Sequence, residues 1–365
     1  MARVIAALSG GVDSAVAAAR AVEEGHEVTG IHLGLSRDPQ AHRTGSRGCC
    51  SLEDANDARR VADHLGIPFY VWDFSELFLQ KVIGNFLSEY ARGRTPNPCL
   101  RCNETIKFAA LCDRALSLGF DAVATGHYAR LAARADGVIE LHRGLDLAKD
   151  QSYVLGVLTQ DQLRHSLFPL GDSRKDDIRA EARRRGIRVA DKPDSFDICF
   201  IPDGDTAGYL HDKLGDRPGD ITDESGTVLG HHLGIVGYTI GQRKGLHLGA
   251  PAPDGKPRYV VGVDPATDTV VVGGRESLRV QGLHCVDPLW CDQTPTGEFQ
   301  ATVQLRAHAK EVPASVRVVD DEVWISLDEP AFGIAPGQTA VVYDGTRVVG
   351  SATIDSTSRA ASAPA

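Results

Sequence analysis

At roughly 150 residues per domain, a chain of 365 residues predicts two or three domains and excludes a single small module. Acidic residues outnumber Lys plus Arg by 49 to 39, a net charge of −10 that excludes a histone-like protein held to nucleic acid by bulk charge, so any RNA or DNA site has to be a local basic patch. No apolar run reaches about 18 residues, and Met1-Ala-Arg-Val leads straight into a strand, so the expectation is a cytosolic chain with neither membrane span nor signal peptide.

Over the first 125 residues short apolar runs alternate with helix-period stretches: strands at 4–8 and 28–33, helices at 12–24 and 52–65, and further strands at 69–72 and 122–124. This is the rhythm of βαβ units in a parallel sheet, which should be covered on both faces. In the 52–65 helix, Leu52, Ala55, Ala58, Val61, Ala62 and Leu65 recur every three or four residues until Gly66 and Pro68 stop it. The long polar connection at 34–50, which ends in Cys49-Cys50, reads as a mobile loop or one kept for use. Between 173 and 192, Arg174, Lys175, Arg179, Arg183, Arg184, Arg185, Arg188 and Lys192 outnumber Asp176, Asp177, Glu181 and Asp191. Such a helix is either a solvated face or a contact for a phosphate backbone.

After about Asp205 the texture changes to Gly, Asp, Pro and short strands, with strand, turn and strand in Gly219-Asp-Ile-Thr-Asp-Glu-Ser-Gly-Thr-Val-Leu. From about Leu278 regular alternation at 300–306, 314–319, 323–327, 339–343 and 347–354 predicts the short strands of a small β-barrel. The expected fold is therefore α/β: a Rossmann-like parallel-sheet domain at 1–204, a small central domain at 205–275 and a C-terminal β-barrel at 276–357. The low-complexity end, from Ser356 on, is expected to be disordered, with 358–365 a free tail.

Ser9-Gly-Gly-Val-Asp-Ser14 follows an apolar strand and opens an apolar helix. Its glycines let the backbone approach a ligand, and its amides sit at a positive helix end, which makes a phosphate cradle. It is neither Gly-x-x-x-x-Gly-Lys-Ser/Thr nor Gly-x-Gly-x-x-Gly, which argues against a γ-phosphate kinase or a nicotinamide site. Hydroxyls at Ser9 and Ser14 and the absence of a loop lysine suit a pyrophosphate that leaves. Asp13 would repel that group unless a divalent cation lies between them, so Mg2+ is expected there.

The loop resembles the PP-loop of the N-type ATP pyrophosphatases, which cleave ATP to AMP and pyrophosphate to activate a carbonyl oxygen. Asparagine, GMP and argininosuccinate synthetases share it, so the loop alone does not choose the acceptor. Further motifs do: Arg94-Thr-Pro-Asn-Pro-Cys-Leu-Arg-Cys-Asn103, Ala124-Thr-Gly-His-Tyr128, Lys149-Asp-Gln-Ser-Tyr153, Asp194-Ser-Phe-Asp-Ile-Cys-Phe-Ile201, Gly241-Gln-Arg-Lys-Gly-Leu246 and Pro336-Gly-Gln338. In that order they resemble the tRNA-uridine 2-sulfurtransferases, the tRNA-specific 2-thiouridylases, from residue 3 to about 355.

That resemblance implies ATP-dependent 2-thiolation of the wobble uridine, U34. Replacing the uracil C2 oxygen by sulfur needs a better leaving group, which adenylation supplies, and then a sulfur nucleophile. Cys199 would carry the persulfide and Cys102 would be the partner thiol, leaving a Cys102–Cys199 disulfide to be reduced. Cys112, Cys285 and Cys291 read as buried structural cysteines. Many relatives have aspartate where Cys99 stands. Cys99, Cys102 and Cys199 could instead hold an iron–sulfur cluster, such as [4Fe-4S], with an open iron for hydrosulfide. Both sulfur routes use the same thiols and stay open, as does another PP-loop adenylating synthetase.

By the same resemblance, Ala7, Leu8, Ser9, Gly10, Gly11, Val12, Asp13, Ser14, Leu33 and Gly126 would bind ATP, Leu33 standing where many relatives have methionine. Asn97, Pro98 and Cys99 would wall the base pocket. His127, Lys149, Asp150, Gln151, Arg306, Ala307 and Gln338 would touch tRNA, with no aromatic after Arg306 to stack on a base. His127 could equally be a satisfied core histidine, and Asp194 a loop-capping carboxylate rather than a proton carrier. The expected partners are the tRNA anticodon loop and an upstream sulfur donor, such as a cysteine desulfurase or sulfur-relay protein.

Overall fold

The computed structural model describes residues 1–36, 52–194, 198–201, 203–248 and 255–359. Most of the polar connection, with Cys49-Cys50, lies outside them. Strands β1 (Arg3–Ala7), β2 (Glu27–Gly34), β3 (Phe69–Asp73) and β4 (Ala122–Ala124) follow the apolar runs, and helices α1 (Val12–Glu23) and α2 (Leu52–Leu65) follow the helical periods. A hairpin of β5 (Ala129–Ala133) and β6 (Ile139–Arg143) precedes the short β7 (Ser166–Leu167). The first sheet has the order β3-β2-β1-β4-β7 and every pairing in it is parallel. Ile5 packs with Ile31 and Val123 on one face of it, while Val4 and Ala6 meet the alanine-rich α1 on the other. Burial on both faces is why these runs are continuously apolar rather than alternating.

The central sheet comprises β8 (Gly219–Asp223), β9 (Val228–His232), β10 (Tyr259–Asp264) and β11 (Thr269–Gly273), in the order β10-β11-β8-β9. Its apolar side, with Ile221, Val260, Val270 and Val272, packs on Phe86 and Tyr90 of the helix Gly84–Ala91.

Six strands build the barrel: β12 (Arg279–Trp290), β13 (Gly297–Gln304), β14 (Val312–Val319), β15 (Glu322–Phe332), β16 (Thr339–Asp344) and β17 (Arg347–Ser358). Pairing of β12 with β17 closes it. The alternation missed β12 because Asp287, at φ 50°, and Pro288 interrupt it with a bulge between Val286 and Leu289. The tail expectation needs correction too. Ser356, Thr357 and Ser358 are strand residues, paired to His284, Leu283 and Gly282, because closing the barrel satisfies backbone groups that would otherwise form an open edge. Residues 360–365 lie outside the described part.

The barrel is not a separate bead. Along β16, Ala340 and Val342 fill its interior, whereas Val341 and Tyr343 enter the core around Phe108, Leu141 and Tyr153. Tyr343 Oη lies 3.1 Å from Ser152 Oγ, the Tyr153 hydroxyl donates to the Thr339 carbonyl at 2.9 Å, and β6 pairs with β17 at His142 and Arg347. Among the described residues no helix is long and apolar enough to cross a membrane.

Candidate active site

The carboxyl edge of the parallel sheet is where ligands bind in this architecture, and the expected nucleotide residues cluster there. Ala7 ends β1, Leu33 lies near the end of β2 and Gly126 follows β4. Between β1 and α1 the loop is braced internally: Ser9 N donates to Ser14 Oγ at 3.1 Å, the two hydroxyls are 3.1 Å apart, and Ser14 Oγ donates to the Gly11 carbonyl. Gly10 has φ +78°, and a Cβ there would overlap the backbone of Asp54 on α2. A Cβ on Gly126 would lie 2.7 Å from Asp13 C and Ser14 N, so β4 is seated directly on the loop.

Asp13 is not bare. Lys175 Nζ donates to its Oδ1 at 2.8 Å and Oδ2 at 2.7 Å, and the Tyr128 hydroxyl donates to Oδ1 at 2.8 Å. Burial, and then the charge of Asp13, push the Tyr128 phenol up, which keeps it a donor. The counter-charge expected from magnesium is thus supplied by the chain itself. A magnesium ion at Asp13 would share the carboxylate with Lys175 and Tyr128, which take three of its roughly four acceptor positions. Lys192 reaches the loop from the other side, 3.2 Å from the Gly10 carbonyl and 2.7 and 2.8 Å from Asp54 and Asp57.

These contacts draw part of the basic stretch at 173–192 into internal ion pairs, while Arg174, Arg184 and Arg188 stay exposed. Lys175, Arg179, Arg183, Arg185 and Lys192 are all spent on internal carboxylates. The partners of Lys175, Arg179 and Lys192 (Asp13, Asp194, Asp54 and Asp57) lie outside that stretch, so local charge counting could not pair them. Arg20 on α1 likewise grips Glu181 at 2.6 Å, docking the helix Lys175–Arg184 behind the loop.

The thiols stand on short, well-capped elements. Asn97 Oδ1 accepts from Cys99 N at 3.0 Å and Leu100 N at 3.4 Å, and Pro98 opens the helix Pro98–Cys102. That helix turns Cys102 into the core, 7 % exposed, and leaves Cys99 outward. Arg94, paired with Glu89 and Asp355, and Thr95 N, donating to the Pro336 carbonyl at 2.8 Å, fasten this segment to the barrel. Cys199 sits in the turn closed by Ile201 N and the Ile198 carbonyl, with neighbouring Phe200 wedged edge-on against Phe78 and Phe86. Cys102 lies within one apolar cluster, and Ala7, Leu33, Cys199 and Ala307 pack against it. Both thiols and the expected nucleotide edge of the sheet thus border one extended core, which also holds Cys112 and Cys291. Burial pushes the Cys112 and Cys291 thiols up to about 12 and Cys285 higher still, as suits structural cysteines. Among the described residues no three His, Cys, Asp or Glu side chains are gathered to hold a single metal ion.

The expected tRNA residues form two groups. Lys149 Nζ donates to Asp194 at 2.7 Å, Gln151 Oε1 accepts from Tyr128 N at 2.9 Å, and Asp150 is enclosed by Arg143, Gly144 and Ser152. His127 packs against Phe108 and Phe168, with Nδ1 2.8 Å from Thr125 Oγ1. Burial, with a smaller effect from Lys107, pulls its pKa well down, so the imidazole is neutral. On the barrel, Arg306 Nε lies 3.5 Å from Gln338 Oε1 and its guanidinium donates to the Gly333 carbonyl.

Residues 2–203 match a family described as tRNA methyl transferase HUP domain, 207–274 the tRNA methyl transferase PRC-barrel domain and 280–354 an aminomethyltransferase beta-barrel domain. The chain is 64 % identical over 364 residues to the tRNA-specific 2-thiouridylase MnmA of Nocardioides sp., covering 98 % of this chain and 99 % of that one. It is 62 % identical over 365 residues to the namesake of Streptomyces avermitilis, covering 100 % and 97 %. The chain belongs to the tRNA-specific 2-thiouridylase family.

Within this thiouridylase scaffold Lys175, Lys192 and the Asp13 partner Tyr128 contact the loop, a role that their sequence context does not signal. Asp194 adds a testable signature. Burial would raise its pKa, but ion pairs with Lys149 and Lys175 outweigh that and hold it at about 2. A carboxyl depressed on folding stabilises the native state above its unfolded value of about 4 and loses that contribution as pH falls towards 2. Thermal melts should therefore hold level from pH 7 to about 5 on this account and drop below about 4. In Asp194→Asn, part of that acid-side drop should disappear.

Proposed function

We propose that this chain thiolates the wobble uridine of tRNA at C2, using ATP. The uracil O2 attacks the α-phosphorus, pyrophosphate leaves through the Ser9–Ser14 loop, and the adenylated oxygen becomes a leaving group. The terminal sulfur of a Cys199 persulfide attacks C2 and AMP departs. The Cys102 thiolate then attacks Cys199 Sγ, the S–S bond breaks with its electron pair going to the sulfur on C2, and 2-thiouridine is left with a Cys102–Cys199 disulfide. A dithiol reductant resets the pair, and an upstream donor recharges Cys199. In the cytoplasm, where tRNA is matured, both would be at hand.

The observation that carries this reading is the Asp13–Lys175–Asp194 bridge, which ties the Ser9–Ser14 loop to the residue five positions before Cys199 and supports activation and sulfur delivery at one place. The matched domain descriptions speak of methyl transfer, but paired thiols have no use there, and the full-length relatives are named for thiolation. For RNA, Arg306 beside Gln338 on the barrel supports a contact by hydrogen bonding rather than by bulk charge.

The test is reconstitution with unmodified tRNA, ATP and a persulfide donor, reading AMP, pyrophosphate and the anticodon nucleoside by mass spectrometry. Equal amounts of AMP and 2-thiouridine at position 34 are expected, and an unmodified anticodon would reject the assignment. In the same assay Asp13→Ala should slow AMP formation on the order of 10²-fold, as loss of loop geometry does, with tRNA affinity unchanged by gel shift. Equal AMP rates would remove Asp13 from the activation step.

A further inference from the structure

Lys175 stands on the first turn of its helix, 7 % exposed, and shares one ammonium between two carboxylates. Asp13 of the nucleotide loop lies at 2.7 and 2.8 Å, and Asp194, which leads into the Cys199 segment, at 2.9 Å. Asp194 is gripped in addition by Lys149 at 2.7 Å and Arg179 at 2.6 Å. From Lys149 the chain runs through Asp150 to Gln151, whose Oε1 accepts from Tyr128 N, and the Tyr128 hydroxyl returns to Asp13. The contacts form a ring through the nucleotide loop, the Lys149–Gln151 stretch and the approach to Cys199. Lys175 is the cation in that ring that touches both carboxylates. Without it Asp13 and Asp194 lose the cation they share, and the two segments are joined only through the remaining contacts of the ring.

We propose that Lys175 is a positioning residue that couples activation to sulfur delivery, holding the Cys199 segment against the nucleotide loop so that sulfur reaches the adenylated uridine before water does. The inference rests on the thiolation reading above. When the coupling fails, water attacks C2, AMP leaves with the former C2 oxygen, and uridine is restored with the water oxygen and release of a proton. ATP is consumed and no sulfur moves.

The readout is the ratio of AMP to 2-thiouridine formed in one reaction by the full-length enzyme with unmodified tRNA, ATP and a persulfide donor. Wild type should give a ratio near one. Lys175→Met should raise it about tenfold or more, the scale of a small misplacement of reacting groups. Lys175→Arg, whose guanidinium can span two carboxylates, should bring it back towards wild type. Asp194→Asn keeps the side-chain shape, removes the charge that Lys175 holds, and should raise the ratio as well, so the inference survives a poorly folding Met variant. A ratio that stays near one in Lys175→Met and Asp194→Asn while KM for ATP rises would overturn it, as would failure of Lys175→Arg to rescue. AMP and thiouridine falling in step with melting temperature would overturn it too. Absence of tRNA-stimulated AMP from wild type would instead overturn the thiolation reading, and this inference with it.

Discussion

Serine at either Cys102 or Cys199 should abolish 2-thiouridine formation completely while tRNA binding persists. A hydroxyl carries no sulfane sulfur and is not ionised near neutral pH, so the Cys199→Ser enzyme could not be charged and the Cys102→Ser enzyme could not open a persulfide. The fold should tolerate both changes. Cys102 is buried within a large cluster and loses only the difference between sulfur and oxygen, and Cys199 is half-buried in a turn held by Phe200. Nucleoside mass spectrometry gives the first quantity and gel shift with unmodified tRNA the second. Full turnover in either variant would remove the assigned role. Cys99→Asp is the control: Cys99 faces outward, and activity should survive if the persulfide relay operates.

Gly10→Ala should be nearly as severe by a different route. At φ +78° a side chain already costs about 1–3 kcal/mol, and the added methyl would run into the Asp54 backbone. The loop and α2 would have to separate, pulling Lys192 away from Asp54 and Asp57. Tight ATP binding and AMP formation should fall on the order of 10²-fold, and the melting temperature should drop by several degrees, on the order of 4 °C for each kcal/mol in a domain of this size. Isothermal titration with a non-hydrolysable ATP analogue separates the binding loss from the stability loss. Wild-type affinity in Gly10→Ala would mean that the loop tolerates a Cβ.

Local chemistry was legible in the sequence wherever short-range physics decides the outcome. The glycine loop, the 52–65 helix and the strands β1 to β4 follow from periodicity and stop signals, and the barrel strands from alternation, because each face of each element meets one environment. What the sequence hid is long-range. Lys175 pairs with Asp13 across 162 positions, whereas the basic residues near it in sequence suggest only a solvated face or a phosphate contact. Asp150 and Gln151, which the resemblance assigns to tRNA, also take hydrogen bonds from other segments that no local pattern announces. Strand β12 was lost where a bulge breaks the period on which the reading relies.

The two-sided strand β16 bears on how the molecule is made. Val341 and Tyr343 complete a core that begins with Ile5, so the ribosome must deliver nearly the whole polypeptide before that interior can close. Until then the core beside Ser152 and Tyr153 lacks one wall, and the chain's own last strands supply it.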